Sequence, residues 1–347
     1  MRSLADPLSP REPVATGPVR ESGSAKRGAA GAARAPSRPA PAAYPGGVNG
    51  IHPRPSAVVA HLSDTHLLAG GALLAGAFDT AAHLRDTAAR LEIAAADADA
   101  IVVSGDVADL GEPGAYELAR EILEPVAARL GAPIVWTAGN HDERGPMRAS
   151  LGLGGDAHDP VDSAIEVAGL RIVALDSSLV GWHHGGFDEG QAEALEAALA
   201  HPPPLGSLLV MHHPPLPYRS GVMRLLEFRD EERLAAAIEG MRVRAILAGH
   251  LHVGGSGTFA GVPVVLAGAT SYVDDLAGPP PAMHGVDAAQ SFNIVEVYPD
   301  GIAHTVVPAL PHASRETLPA ELIATLEAMD PAERAERFSR KPAPAEG

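Results

Sequence analysis

The 347-residue chain carries 26 basic and 43 acidic residues, a formal charge of -17, and no cysteine. Disulfides, thiolate nucleophiles and cysteine-bound zinc are therefore excluded. A long polyanion, held by rows of Lys and Arg on its phosphates, is an unsuitable partner for so acidic a chain. Hydrophobic residues reach 46% while aromatics stop at 4%, so a substantial core can form and must be aliphatic.

The first 55 residues, including "KRGAAGAARAPSRPAPAAYPGG", are rich in Ala, Pro, Gly, Ser and Arg and show neither helical nor strand periodicity. Their eight basic and three acidic residues sum to about +5. Such a stretch has too little apolar material to fold and reads as a disordered tail. It holds no apolar segment of the roughly 7–15 residues that a secretory signal needs. Nowhere does the chain reach the roughly 18 consecutive apolar residues of a membrane span. The expectation is a cytoplasmic protein whose basic tail is its one feature suited to an acidic membrane or envelope surface.

From residue 57 onward, short aliphatic runs alternate with Ala/Leu-rich helical stretches. "AVVAHLS" precedes the helical "AAHLRDTAARLEIAAA", and "AIVVS" precedes "GAYELAREILEPVAARL", whose apolar positions recur every three or four residues. "PIVWTA", "LRIVALD", "LLVMHH" and "VRAILAG" follow. Buried β-branched runs interleaved with helices predict an α/β fold of packed sheets with helices outside. The later runs "VPVVLAG", "FNIVEVY" and "IAHTVVP" lack intervening helices and read as antiparallel strands completing a second sheet. Beyond about residue 310 the chain reads as an extension with one helix near "PAELIATLEAM".

Five of these runs end in residues that are costly to bury and suited to metals or proton transfer. They deliver Asp64 and His66; Gly105, Asp106 and Asp109; Gly139, Asn140, His141 and Asp142; His212 and His213; and Gly249, His250 and His252. Ligands of open α/β sheets gather beyond the carboxyl ends of strands, so these ends should form one polar cluster. Gly105, Gly139 and Gly249 fit sharp exits where a side chain would be in the way. A lone Asp-x-His, or an Asn-His-Asp that is merely an Asx turn, would mean little; five such ends in one chain carry the argument. The remaining histidines at 52, 83, 158, 201, 284, 304 and 312 read as surface or loop residues. The pair His183-His184 stands between a solvated loop and a substrate contact.

The series Asp64-x-His66, Gly105-Asp106-x-x-Asp109, Gly139-Asn140-His141-Asp142, His212 and Gly249-His250-x-His252 resembles the calcineurin-like metallophosphoesterase superfamily. "HLSDTHLL", "SGDVADLGEPGAY", "GNHDER", "HHPPLP" and "ILAGHLH" are similar to the bacterial class III cyclic-nucleotide phosphodiesterases. The likeness spans about residues 57 to 308, giving an expected domain over 56–310 flanked by the tail at 1–55 and the extension at 311–347. It implies a four-layer α/β/β/α sandwich of two mixed sheets and two divalent transition metal ions. Asp64, His66, Asp106 and His252 would hold one ion; Asp106, Asn140, His212 and His250 would hold the other, with Asp106 bridging. Imidazole with carboxylate suits iron, manganese or zinc rather than calcium, and iron or manganese is the leading expectation.

By the same resemblance, His66, Asp106, Asn140, His141 and His252 face the substrate. His141 would point at the phosphate and the leaving oxygen, Asp109 would orient His141, and Asp142 would stabilise the turn. Arg144 reads as a salt-bridge partner. The implied reaction is hydrolysis of a small phosphodiester, above all 3′,5′-cyclic AMP and alternatively 2′,3′-cyclic nucleotides, by metal-activated hydroxide. Two divalent ions, two carboxylates and a hydroxide leave the site near about +1, which attracts a small monoanion locally within an acidic chain. A glycerophosphodiesterase or phosphomonoesterase on the same scaffold stays open, because loops such as 67–78, 178–188 and 216–229 set specificity. A metal-free scaffold protein would have lost ligands, and here every ligand position is filled. Homodimers occur among similar enzymes.

Overall fold

The computed structural model describes residues 53–279 and 281–341; the expected N-terminal tail lies, up to residue 52, outside the described residues. The aliphatic runs become strands β1 (Ala57–Leu62), β2 (Ala100–Ser104) and β3 (Ile134–Thr137), which pair in parallel. The periodic stretches between them form helices α1 (Thr80–Ala94) and α2 (Pro113–Leu130). Asp79 caps α1 by accepting the Ala82 N–H at 2.9 Å. Pro113 opens α2, and Gly131 closes it in the left-handed region at φ 66. Helix α3 (Arg144–Leu151) follows β3.

The second half repeats the pattern. Strands β4 (Ser163–Val167) and β5 (Leu170–Ala174) form a hairpin. Helix α4 (Glu189–Leu199) leads to β6 (Ser207–Val210), and helix α5 (Glu231–Ile238) to β7 (Val243–Ala248). β8 (Gly255–Phe259) and β9 (Val262–Leu266) follow, then the short pair β10 (Val273–Asp274) and β11 (Gly285–Val286). β12 (Ser291–Val297), β13 (Ile302–Pro308) and helix α6 (Ala320–Ala328) come next, and a short helix α7 (Pro331–Arg334) follows, so the extension holds more than the one helix expected.

One sheet runs β13-β12-β1-β2-β3 and the other β4-β5-β6-β7-β9-β8. Between them lies an aliphatic cluster that includes Val59, Val102, Ile172, Leu208, Leu247 and Val295. Helices α1 to α3 cover the outer face of the first sheet, and α4 and α5 that of the second. The expected α/β class with two mixed sheets flanked by helices is what the chain adopts, and the intersheet cluster contains no aromatic side chain.

The late strands differ from the sequence expectation. "VPVVL" does join the second sheet, but parallel to β7, because the antiparallel β8 occupies the edge and turns the chain back. β12 and β13 join the first sheet instead, antiparallel beside β1. The alternation of β12 explains its place: Phe292 points into the helix-side core while Val295 and Val297 point between the sheets. A strand buried on both faces belongs next to a central strand. His83 is a second correction. It is buried on the inner face of α1, donating Nδ1–H to the Ser271 carbonyl (2.8 Å), with Nε2 3.1 Å from Asp287.

Candidate metal centre

The carboxyl ends of both sheets meet along one edge. Thr137 Oγ1 at the end of β3 donates to the Leu175 carbonyl beyond β5 (3.3 Å). His212 Nδ1–H beyond β6 donates to the Ser104 carbonyl at the end of β2 (2.8 Å), and Gly249 N–H beyond β7 donates to the His212 carbonyl (3.0 Å). The five strand ends singled out above are thereby gathered into one cluster.

Their backbone is unusual. Asp64, His66, Asp106, His250 and His252 have φ of 53, 40, 50, 70 and 53, and so supply most of the nine non-glycine residues with positive φ among the described residues. Each such placement costs about 1–3 kcal/mol and persists only where the surroundings enforce it. Here the loops enforce it on one another: Asp64 N–H donates to the Gly105 carbonyl (3.1 Å), and His66 N–H to that of Asp106 (3.0 Å).

The three glycines expected at these exits are needed for close approach. A Cβ on Gly105, itself at φ 94, would lie 2.6 Å from His212 Nδ1. One on Gly139 would overlap the Asp106 carboxylate, and one on Gly249 would overlap Ser63 Oγ and stand 2.6 Å from Asp64 Oδ2. Gly249→Ala is therefore expected to displace Asp64 and to weaken metal affinity by about 10–100-fold, as loss of support around a ligand does. Activity titrated against added metal measures this; an unchanged midpoint would contradict the role given to Gly249.

The ring nitrogens identify what the cluster can hold. His66, His212 and His252 each commit Nδ1–H to an acceptor: the Asp109 carboxylate (3.0 Å), the Ser104 carbonyl (2.8 Å) and the Tyr272 carbonyl (3.0 Å). Their Nε2 atoms then face other acceptors. His66 Nε2 is 3.0 Å from His252 Nε2, and His212 Nε2 is 3.2 Å from Asn140 Oδ1. A single oxygen, Asp106 Oδ2, lies 3.4 Å from His66 Nε2 and 3.3 Å from His212 Nε2. Asp64 Oδ1 is 3.5 Å from His252 Nε2. His250 Nε2 is buried with no hydrogen-bond partner. Lone pairs confronting one another need a cation between them. Ligand atoms about 2.0–2.2 Å from one ion stand roughly 3–3.5 Å apart, the spacing found here.

The carboxylates of the cluster favour positive charge on two of these rings. Burial opposes charge on His66 and His212, but Asp109, Asp106 and Asp64 around the first, and Asp106 and Asp64 around the second, raise both to about 9. Burial, and then repulsion from His213 and His66 respectively, hold His250 and His252 well below the usual range. The cluster thus carries neutral donors beside positions that already attract positive charge.

His141 lies at the rim, its side chain 24% exposed. Its N–H donates to Asp106 Oδ1 (2.9 Å), and its Nδ1–H donates to the Asp109 carbonyl (2.9 Å), leaving Nε2 for other partners. The Asp109 carboxylate is 3.4 Å from His141 Nδ1 but 3.0 Å from His66 Nδ1, so it serves both rings. Asp142 accepts the N–H groups of Gly139 (2.9 Å), Ala108 (3.0 Å) and Val107 (3.2 Å), the turn-stabilising place expected of it. Arg144 pairs with buried Asp176 at 2.8 Å.

Of the undecided pair, His183 comes to the site, 3.1 Å from Asn140 Nδ2 and with its ring 5.5 Å from that of His141. His184 turns away and packs 5.1 Å from Trp182. Sequence reasoning missed Tyr272, whose carbonyl orients His252 and whose ring packs 4.4 Å from it. It also missed the end of β5, where Ser177 Oγ sits 2.9 Å from His213 Nδ1 and accepts the His213 N–H (3.1 Å). The signal was present, since "LRIVALDSS" is a sixth aliphatic run ending in polar residues. His213 backs His250 at 4.5 Å between ring centroids.

A model of the calcineurin-like phosphoesterase family matches residues 57–254, more than half of the chain. The chain belongs to this family. Among curated relatives, a "probable cyclic nucleotide phosphodiesterase" of Rhodococcus erythropolis is 44% identical over 264 residues, 76% of this chain and 87% of that protein. A cAMP/cGMP dual specificity phosphodiesterase of Mycobacterium tuberculosis is 44% identical over 257 residues, 74% of this chain and 81% of that protein. The calcineurin-like fold is also that of a dimetal phosphatase from Danio rerio, at TM-score 0.52 and 18% identity, covering 74% of this chain and 97% of the other. Among the described residues, no helix is long and apolar enough to cross a membrane.

Proposed function

We propose that this chain is a binuclear metal-dependent phosphodiesterase that hydrolyses 3′,5′-cyclic AMP. The observation that carries the reading is the pair of facing lone-pair nests that share Asp106 Oδ2. Asp64, His66, Asp106 and His252 would hold one ion; Asp106, Asn140, His212 and His250 would hold the other. Their nitrogen and oxygen donors suit iron or manganese, with zinc next. When bound, such a pair supplies Lewis acidity toward the phosphodiester and acidifies a water for attack.

The chain's own groups do the rest. Asn140 donates through a neutral oxygen and so keeps the site from becoming too negative for a phosphodiester anion. Asp109 and the Ser104 and Tyr272 carbonyls fix the rings whose Nε2 atoms point inward. His141 is anchored at Nδ1 by the Asp109 carbonyl, so that its Nε2 would be the group placed to give a proton to the leaving oxygen. The cyclic-nucleotide substrate is supported by the names of the two relatives at 44% identity. The reading is tested by turnover of cyclic nucleotides, glycerophosphodiesters and simple monoesters with iron, manganese and zinc in turn. Cyclic AMP should give the highest kcat/KM. Preference for a glycerophosphodiester, the substrate class in the name of a relative 32% identical from Enterobacter lignolyticus, would replace this conclusion.

A further inference from the structure

A cavity of about 480 Å³ opens between the loop at Arg219–Val222 and the β10–β11 hairpin. The chain segments that line it lead back to the metal centre. Tyr218, one residue before Arg219, packs 5.6 Å from His250. Tyr272, two residues before Asp274, packs 4.4 Å from His252. The segments that wall the cavity are thus tied to His250 and His252, one from each nest, and its volume lies within the roughly 300–1,000 Å³ of small-molecule sites.

Its chemistry is uneven in a useful way. Val222, Leu276 and Met283 line it and are 46%, 55% and 47% exposed, an unusual gathering of large apolar side chains in water. Arg219 also lines it and has no hydrogen bond or ion pair among the described residues. The half-buried Asp274 carboxylate, on the wall nearest Tyr272, likewise has no hydrogen bond among them. An aromatic heterocycle would cover the apolar wall and stack against a guanidinium, and a sugar hydroxyl would satisfy a carboxylate. A glycerol arm would leave the apolar wall wet.

We propose that this cavity seats the nucleoside half of the substrate, with Asp274 accepting the ribose 2′-hydroxyl and the base lying between Arg219 and the Val222–Leu276–Met283 wall. The assignment rests on the cyclic-nucleotide reading above. It accounts for selectivity by loops that contribute nothing to the metal nests.

A Cβ at Gly221 meets no atom within 4 Å, so Gly221→Phe fills the cavity without crowding the fold. The metal-loaded enzyme is assayed with 3′,5′-cyclic AMP and with methyl p-nitrophenyl phosphate, which has no nucleoside. In Gly221→Phe the ratio of the two kcat/KM values should fall by about ten-fold or more, through KM for cyclic AMP, at an unchanged melting temperature. In Asp274→Asn, the preference for cyclic AMP over its 2′-deoxy analogue should shrink by about ten-fold. If wild type cleaves cyclic AMP and neither ratio moves, the cavity is not the nucleoside seat and the function stands. If wild type cleaves only the methyl aryl diester, both are overturned.

Discussion

Asp106→Ala is expected to abolish turnover and deplete metal from both nests, where His252→Ala should deplete chiefly one. Among the described residues, Asp106 Oδ2 is the only carboxylate oxygen that stands within 3.4 Å of ring nitrogens from each nest, His66 Nε2 and His212 Nε2. Its other oxygen accepts the His141 N–H at 2.9 Å, so the substitution also frees the segment that carries Asn140 and His141. Burial works against an ionised Asp106, but His212, His141 and His66 hold its carboxyl well below the usual range, ready for a cation without first losing a proton. Metal analysis of the purified variant checks the result. Two bound metals with near-normal turnover would contradict the bridging role.

His141→Ala should slow cyclic AMP hydrolysis by about 100- to 10,000-fold, the usual contribution of general acid catalysis, or roughly 3–5 kcal/mol of barrier. Metal content should be intact, since His141 is not among the residues of the facing lone pairs. A ribose hydroxyl is a poor leaving group and needs the proton, whereas p-nitrophenolate scarcely does, so a p-nitrophenyl diester should lose far less. Equal losses would leave His141 as an electrostatic contact only. Asp109→Asn behaves differently from a weakened His141 variant. Because its carboxylate sits closer to His66 Nδ1 than to His141 Nδ1, it should lower metal affinity as well as leaving-group discrimination.

The site was legible because its residues follow aliphatic runs whose strand character is plain, and because His, Asp and Asn after such runs have few other reasons to be there. What the glycines make room for was less legible, as close approach involves partners far away in the chain, 107 positions for Gly105 and His212 and 186 for Gly249 and Ser63. The sheet membership of β9 and β12 was hidden for a related reason: an apolar run states that it is buried, not beside which strand. β8, "GSGTF", and the two-residue β10 and β11 have no hydrophobic alternation to read. His83 was misjudged one residue at a time, although its spacing with Thr80, Leu84, Thr87 and Leu91 places it on the inner face of α1.

Each nest draws on both sheets: Asp64 and His66, or Asp106 and Asn140, come from the first, and His252, or His212 and His250, from the second. His66 and His252 are 186 positions apart along the chain. An ion seated between them closes a ring of that size in a protein that has no cysteine with which to close one covalently. A metal held there would in this sense also be a clasp at the edge where the two sheets meet, and its binding would favour the state in which they are joined. Loss of that metal would then be expected to lower the melting temperature as well as the rate.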